Sequence, residues 1–404
     1  MTFFGIIWLT VLLFYIIKVD IKKMAVVTLI SMVLQSSNVI AVGNVFIGPQ
    51  MFSCVALIIL FCIRNKRLII QKPKICTVAM FMFIIFVGIS MFFNRVLILN
   101  VLKYIQLVVY AVTVLIFKNL AKEFNDVEIY GCLKKITWFV LIMGIIQFLT
   151  TSDIMPGRQL MKILIYNDNS ESCYYNYYGY YRVMSTFLEP SYCGCFLVGI
   201  FYYFLSCWKN SKKDLKLLVF IAIEIFGTLS STAYGSLIIV GFIFLLFSSN
   251  KKVKRIILPI GIVLSIFLYI VAYDILNQVI FSKTTSGSFI TRYYWNLQAQ
   301  KMFESSKYIG VGYKSVRASS MYYSLLAQVG IIGFVIYIFY NLLAIVTMIQ
   351  KKNRKRFGYI GVRFSLLAVI VGQFIACPDF EFCVYWMFLY VLALHGIERI
   401  NLKS

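Results

Sequence analysis

Arg182 and Glu189 frame the segment Arg182-Val183-Met184-Ser185-Thr186-Phe187-Leu188-Glu189-Pro190-Ser191. A guanidinium offers a planar fork of donors that matches phosphate oxygens. A carboxylate close to it can take up or deliver a proton. The residues just before, Tyr174-Tyr175-Asn176-Tyr177-Tyr178-Gly179-Tyr180-Tyr181, hold six tyrosines in eight positions. Phenol rings such as Tyr180 and Tyr181 can pack on the apolar faces of sugars while their hydroxyls make hydrogen bonds. Each feature also has a plain structural explanation. Arg182 can snorkel at a membrane surface, Glu189-Pro190 can simply open a helix, and the tyrosines can form an interfacial belt.

A second group of such residues lies further along. Phe289, Arg292, Tyr293, Trp295, Ala299, Met302 and Phe303 recur at helical spacing, which predicts a short helix over 286–304. Its apolar side would lie in the membrane interface, with Arg292 and Lys301 toward the headgroups. Lys307, Lys314 and Arg317 follow around Gly310-Val311-Gly312. That Gly-x-Gly lacks the spacing and the Lys-Ser/Thr of a phosphate loop and reads as a tight turn. Ser319-Ser320-Met321-Tyr322-Tyr323 then leads into another apolar run containing Gln328-Val329-Gly330-Ile331-Ile332-Gly333.

The elements that must hold these residues are membrane spans. The chain has 404 residues, of which 61% are hydrophobic and only 13% charged. Its mean hydropathy is +0.86. Soluble domains average about 25% charged residues, so the reading is an all-α, polytopic integral membrane protein forming one unit over 1–404. Apolar runs fall near 3–17, 24–42, 46–63, 75–93, 96–117, 135–150, 190–208, 217–231, 234–248, 256–273, 321–348, 359–376 and 383–397. That suggests about 11–14 transmembrane helices at roughly 20 residues each, with the pair at 217–248 open to being one kinked element. Residues 1–17 lack a charged leader and a cleavage site and read as a retained first span. The alternating short segments of a membrane β-barrel are absent.

The net charge of +24 reports topology. Lysine and arginine gather in alternate loops, as at Lys18, Lys22 and Lys23, at Lys209, Lys212, Lys213 and Lys216, and at Lys351, Lys352, Arg354, Lys355 and Arg356. Cytoplasmic loops carry this excess, so the clusters need no nucleic-acid partner. The orientation that follows puts two long loops on the outer side, 151–189 and 274–320, and long loops in a compact bundle are usually functional. The single histidine, His395, reads as structural. No Cys/His group has zinc spacing, and Asp379 and Glu381 are the nearest pair of acids, in a short outer loop. No metal and no cofactor are expected. Glu224 is the clearest charge within a span.

These motifs together resemble the O-antigen polymerase (Wzy-type) family, within the O-antigen polymerase and ligase superfamily. The resemblance rests on Arg182 with Phe187-Leu188-Glu189-Pro190-Ser191, on Arg292 ahead of Ile309-Gly310-Val311-Gly312, and on Tyr322 running on to Gly330-Ile331-Ile332-Gly333. It covers about 160 residues of the C-terminal half; the N-terminal half matches in hydropathy alone. The resemblance implies a metal-independent glycosyltransferase in the cytoplasmic membrane, facing the periplasm or exterior. It would join oligosaccharide repeat units carried on undecaprenyl diphosphate into O antigen, capsule or exopolysaccharide. A partner that sets chain length goes with such enzymes. It implies substrate-binding roles for Arg182, Arg292, Lys314, Arg317, Tyr180, Tyr181 and Tyr322; it leaves the base open, with Glu189 as the candidate. Ligases of the superfamily carry a histidine just before the tyrosine-containing span, where this chain has Ser319. That departure favours a polymerase over a ligase; a flippase or permease working through Glu224, Lys103 and Arg363 is the reading from another class.

Overall fold

The computed structural model describes residues 2–42, 45–64, 75–94, 98–152, 154–166, 176–177, 180–208, 212–247, 287–346 and 358–395. Over them the chain is an all-α multi-pass membrane protein whose only strands are two short hairpins. Helices α1 (Phe3–Ile17), α2 (Ile21–Ser31) and α3 (Pro49–Arg64) open it, with β1 (Ile40–Val42) and β2 (Val45–Ile47) paired between α2 and α3. Then come α4 (Ile75–Phe93), α5 (Ile98–Leu120), α6 (Asp126–Thr151) and the short α7 (Arg158–Leu164). A second hairpin, β3 (Asn176–Tyr177) with β4 (Tyr180–Tyr181), precedes α8 (Pro190–Cys207), α9 (Lys212–Gly227) and α10 (Ser231–Phe247). The described chain closes with α11 (Gly287–Ser305), α12 (Met321–Val346), α13 (Tyr359–Ala376) and α14 (Cys383–His395).

Among the described residues six helices, α4, α5, α6, α8, α12 and α13, are long and apolar enough to cross a membrane; α1, α3, α10 and α14 are shorter apolar helices. Their starts are written locally. Thr2 accepts the Gly5 amide, Asp20 accepts the Lys23 amide, and Asn125 with Glu128 forms a capping box. Pro190 begins α8 behind an extended Glu189, so the Glu189-Pro190 pair does open a helix. Helices α8 and α13 are the most buried of the six and pack on each other, with α10 beside both. Their contact is close enough for Ser365 Oγ to donate to the Gly199 carbonyl at 2.7 Å.

Charge is sorted by end. At one end Lys22 meets Glu128 at 2.8 Å, Arg64 meets Glu123 at 3.0 Å, Lys134 meets Asp214 at 3.0 Å and His395 meets Asp126 at 3.1 Å. These are loops that the charge pattern assigns to one side. His395 is buried there against Asp126 and Tyr203, in the structural role expected of it. The Tyr192, Lys314, Asp379 and Glu381 side chains meet at the opposite end.

The run 24–42 departs from expectation. Helix α2 stops at Ser31, and residues 32–39 are irregular before the hairpin. The cause is the polar stretch Gln35-Ser36-Ser37-Asn38, which is buried and bonds elsewhere. Ser36 donates from both N and Oγ to the Thr186 carbonyl, Thr186 Oγ1 donates back to the Val33 carbonyl, and Ser37 Oγ reaches the Ile165 carbonyl. Buried non-helical backbone persists only where protein satisfies it in this way. The run 217–248 is two helices, with a tight turn at 228–230 in which Leu229 has φ 44°. The run 256–273 lies outside the described residues.

The expected helix at 286–304 is α11, packed on α12 through Ala299, Ala318 and Ala327. Helix α12 itself is broken at Gly330, where φ is 65° and ψ −171°. The backbone of 307–312 fills the break. Val311 N donates to the Ala327 carbonyl (2.8 Å), Gly312 N to the Gln328 carbonyl (3.1 Å) and Ile331 N to the Lys307 carbonyl (2.9 Å). Ser90 Oγ, from α4, and Asn94 Nδ2, just past its end, bond the same strip at Ile309 and Gly310. The Gly-x-Gly is thus more than a turn. A Cβ on Gly310 would fall 2.4 Å from the Gln328 carbonyl carbon, and one on Gly330 would fall 2.4 Å from the Tyr308 carbonyl. Only glycine tolerates the Gly330 dihedrals, a penalty of order 1–3 kcal/mol for other residues. Gly330→Ala is therefore expected to lower the melting temperature in detergent by several degrees, read by thermal-shift assay. An unchanged midpoint would mean that the break does not hold the 307–312 strip.

Candidate functional site

The broken helix carries a side chain that positions the next loop. Gln328 Oε1 accepts the Lys314 amide at 3.0 Å, and its Nε2 donates to the Val316 carbonyl at 3.0 Å and to Ser324 Oγ at 2.9 Å. Lys314 is held with φ 60°, a left-handed backbone that disfavours a side chain. Such strain persists where surrounding contacts fix it, often at working sites. Here the contacts are ionic. Lys314 Nζ lies 2.6 Å from Asp379 Oδ1 and 2.8 Å from Glu381 Oε1. Tyr192 donates to Asp379 at 2.5 Å and Tyr313 donates to Glu381 at 2.6 Å. The acids sit on the connection between α13 and α14, which Gln373 Nε2 holds at the Asp379 carbonyl and Trp386 Nε1 at the Phe380 carbonyl.

This cluster fixes its own protonation. Burial opposes charge on Lys314, but Asp379 and Glu381 outweigh it and hold the ammonium pKa above the usual lysine range. Burial likewise opposes charge on Asp379, and Lys314 outweighs it, leaving the carboxyl below the usual range. Burial, reinforced by Glu381, pushes the Tyr313 phenol well up, so it stays a donor.

Beside the cluster opens a chamber of about 320 Å³. Its lining includes Glu189 at the start of α8, Arg292 and Trp295 on α11, Arg317 and Ser319 on the following loop, and Lys314 with Asp379. Arg317 stacks on the Trp295 ring at 3.8 Å, which fixes the guanidinium plane. Among the described residues neither Arg292 nor Arg317 has a carboxylate within 4.0 Å, and Glu189 has no cation within that distance. Glu189 Oε2 accepts a hydrogen bond from Ser191 Oγ at 3.1 Å. Lys314 is held between two carboxylates of its own, so the chamber's cations without a carboxylate within 4.0 Å, among the described residues, are the two arginines. The chamber can accept an anion, with one carboxylate nearby to exchange a proton.

Of the residues singled out in the sequence, the structure brings Glu189, Arg292, Lys314 and Arg317 together around this chamber. Arg182 stands apart from its lining. Its Nε donates to the Thr228 carbonyl at 3.0 Å and its Nη2 to the Leu229 carbonyl at 3.1 Å. It closes the C-terminal end of α9, where unpaired carbonyls collect, a role neither snorkelling nor phosphate binding had suggested. Val183 N adds a bond to the Gly227 carbonyl, and Gln147 holds the Arg182 carbonyl and the Met184 amide. Tyr180 and Tyr181 form β4 of the second hairpin, and half of the tyrosine run lies outside the described residues. Tyr322 is exposed on α12, edge-on to Tyr323 and Phe334, and does not line the chamber. Sequence reasoning missed the partners of Lys314. The signal was the Asp379/Glu381 pair, but its lysine lies 65 residues away in sequence.

No protein-family model matches the sequence, and no curated protein matches it.

Lys314→Met would leave two neighbouring carboxylates without their cation. We expect a loss of ~2 kcal/mol of stability, between the values for exposed and for fully buried pairs, largely recovered when Asp379→Asn and Glu381→Gln are added. Chemical denaturation in mixed micelles reads it; an additive triple variant would refute the coupling. The sign of the pH dependence follows from the two shifts. Asp379 stabilises above the ordinary carboxylate pKa of about 3.9, and that contribution is lost as pH falls through its lowered value. Lys314 stabilises below the ordinary lysine pKa of about 10.4, and its contribution is lost as pH rises through its raised value. The wild-type minus Lys314→Met difference in stability should thus be flat from about pH 5 to 10 and shrink on the acid side.

Proposed function

We propose that this protein is a membrane glycosyltransferase that polymerises oligosaccharide repeat units carried on undecaprenyl diphosphate. The site would lie at the outer face of the cytoplasmic membrane. The observation that carries the reading is the chamber at the end away from the lysine- and arginine-rich loops, where, among the described residues, Arg292 and Arg317 have no carboxylate within 4.0 Å and share a lining with Glu189. Its volume of about 320 Å³ falls in the range of small-molecule sites, about 300–1,000 Å³. The family resemblance of the motifs points the same way.

In this reading Arg292 and Arg317 hold the diphosphate of the growing chain. Trp295 keeps Arg317 flat against it. A hydroxyl at the non-reducing end of a new unit attacks the anomeric carbon of the growing chain. The new glycosidic bond forms as the bond to the diphosphate oxygen breaks, and the electron pair leaves with the lipid diphosphate. Glu189 takes the proton from the attacking hydroxyl. The arginine contacts strengthen as negative charge develops on the leaving oxygen, which is where such donors accelerate a reaction. Lys314 acts differently. It ties the wall of the chamber to the α13–α14 connection through Asp379 and Glu381. Arg182 steadies the segment that ends in Glu189.

Arg292→Ala and Arg317→Ala are expected to leave folded protein and cut polymer formation by about 100-fold. A gel of surface polysaccharide would show single repeat units in place of a ladder. Arg182→Ala is expected to act through stability, with less protein in the membrane. Normal ladders from both chamber variants would exclude this site. A ligase would leave long polymer stranded on its lipid carrier instead of single units.

One observation favours a transporter instead. Glu224 is 6% exposed, and among the described residues neither of its carboxylate oxygens has a hydrogen-bond partner. Intramembrane acids often mark ion pathways. On the polymerase reading Glu224→Gln keeps the ladder. Loss of all surface polysaccharide with lipid-linked units retained inside would make the transporter the better account.

A further inference from the structure

A second cavity of about 810 Å³ lies against the first. Tyr192, Lys314 and Asp379 line both, so the ion cluster is their common wall. The rest of the second lining comes mainly from the N-terminal half, where the sequence offered no motif. Gln35 and Asn38 come from the irregular stretch after α2, Phe46 from β2, Gln50 from α3, and Asn100, Lys103 and Gln106 from α5.

The chemistry of the two cavities differs. In the smaller one Arg292, Lys314 and Arg317 face Glu189 and Asp379, an excess of one positive charge. In the larger one Lys103 and Lys314 face Asp379 and Glu381, and the charges cancel. What remains there is carboxamide set among the apolar side chains of Ile47, Met51, Leu102, Ile105 and Leu188. The carboxamides are Gln35, Asn38, Gln50, Asn100 and Gln106; the Nε2 atoms of Gln35, Gln50 and Gln106 already donate to the Met32 carbonyl, the Leu34 carbonyl and the Tyr110 hydroxyl. Phe46 is 39% exposed at the mouth, and Phe382 and Tyr192 also present rings. Carboxamide oxygens that accept from hydroxyls, with rings and apolar side chains that cover C–H faces, suit a ligand that is polar, uncharged and built of rings.

We infer that the larger cavity binds the uncharged sugar residues of an oligosaccharide, presenting one end of it at the Tyr192–Lys314–Asp379 wall of the anion chamber. Sugar binding stands on the lining alone; that the bound glycan is the acceptor of the transfer rests on the polymerase reading above. The irregular stretch 32–39 then has a use. A continued α2 would not place Gln35 and Asn38 together with Phe46 at the cavity.

The test uses the purified full-length protein in detergent and a lipid-free probe. The probe is the single repeat-unit oligosaccharide released by mild acid from the producing cell's lipid-linked pool. Saturation-transfer NMR and titration read its binding to wild type, Arg292→Ala, Asn100→Trp and Phe46→Ala. Asn100→Trp fills the cavity; Phe46→Ala removes an exposed ring and does not disturb the core. Binding is expected in wild type and unchanged in Arg292→Ala. It should weaken at least tenfold in Asn100→Trp and severalfold in Phe46→Ala. No binding to wild type, or equal binding to Phe46→Ala and a folded Asn100→Trp, overturns the inference. The two accounts fail separately. Normal polysaccharide ladders in both Arg292→Ala and Arg317→Ala would remove the chamber as the site of polymerisation and leave the sugar-binding result standing. Unaltered probe binding in the cavity variants, with the Arg292→Ala ladder lost, would do the reverse.

Discussion

The site depends on one break in one helix. At Gly330 α12 leaves helical geometry, and its unpaired carbonyls at Ala327 and Gln328 accept amides from Val311 and Gly312. Within a bilayer an unpaired backbone group is costly, so a break must be filled by protein. The filling strip ends at Lys314, whose amide is taken by Gln328 just before the break. From there the chain reaches Arg317 and Ser319 within a few residues. The placement of the second cavity's wall, of the chamber's floor and of Arg317 follows from this single exchange of hydrogen bonds.

A second constraint is electrostatic. Three charges meet at Lys314, Asp379 and Glu381, and they satisfy one another with help from Tyr192 and Tyr313. Partly buried charges are tolerated only when paired and hydrogen-bonded in this way. The pairing sets the basic residues apart. Lys314 is held between two carboxylates, while among the described residues Arg292 and Arg317 have none within 4.0 Å.

Much of the architecture was legible in the sequence because membrane spans are written as continuous apolar runs. Helix α11 was also legible from its periodicity, and the start of α8 from Glu189-Pro190. Three features were not. The end of α2 at Ser31 depends on Thr186, distant in sequence, offering partners to Ser36. Arg182 reads as a free cation until the carbonyls at the end of α9 are seen against it. Lys314 and its two acids are brought together by folding alone. Each miss has the same cause: a polar side chain in an apolar protein takes its role from partners that local pattern does not reveal.

The central claim is that the chamber of Glu189, Arg292 and Arg317 holds the lipid diphosphate. An experimental structure of the purified protein with undecaprenyl diphosphate tests it most directly. The account predicts the diphosphate between Arg292 and Arg317, beside Trp295 and within reach of Glu189. Diphosphate bound at the lysine-rich end, or at Arg182 with the chamber empty, would contradict it.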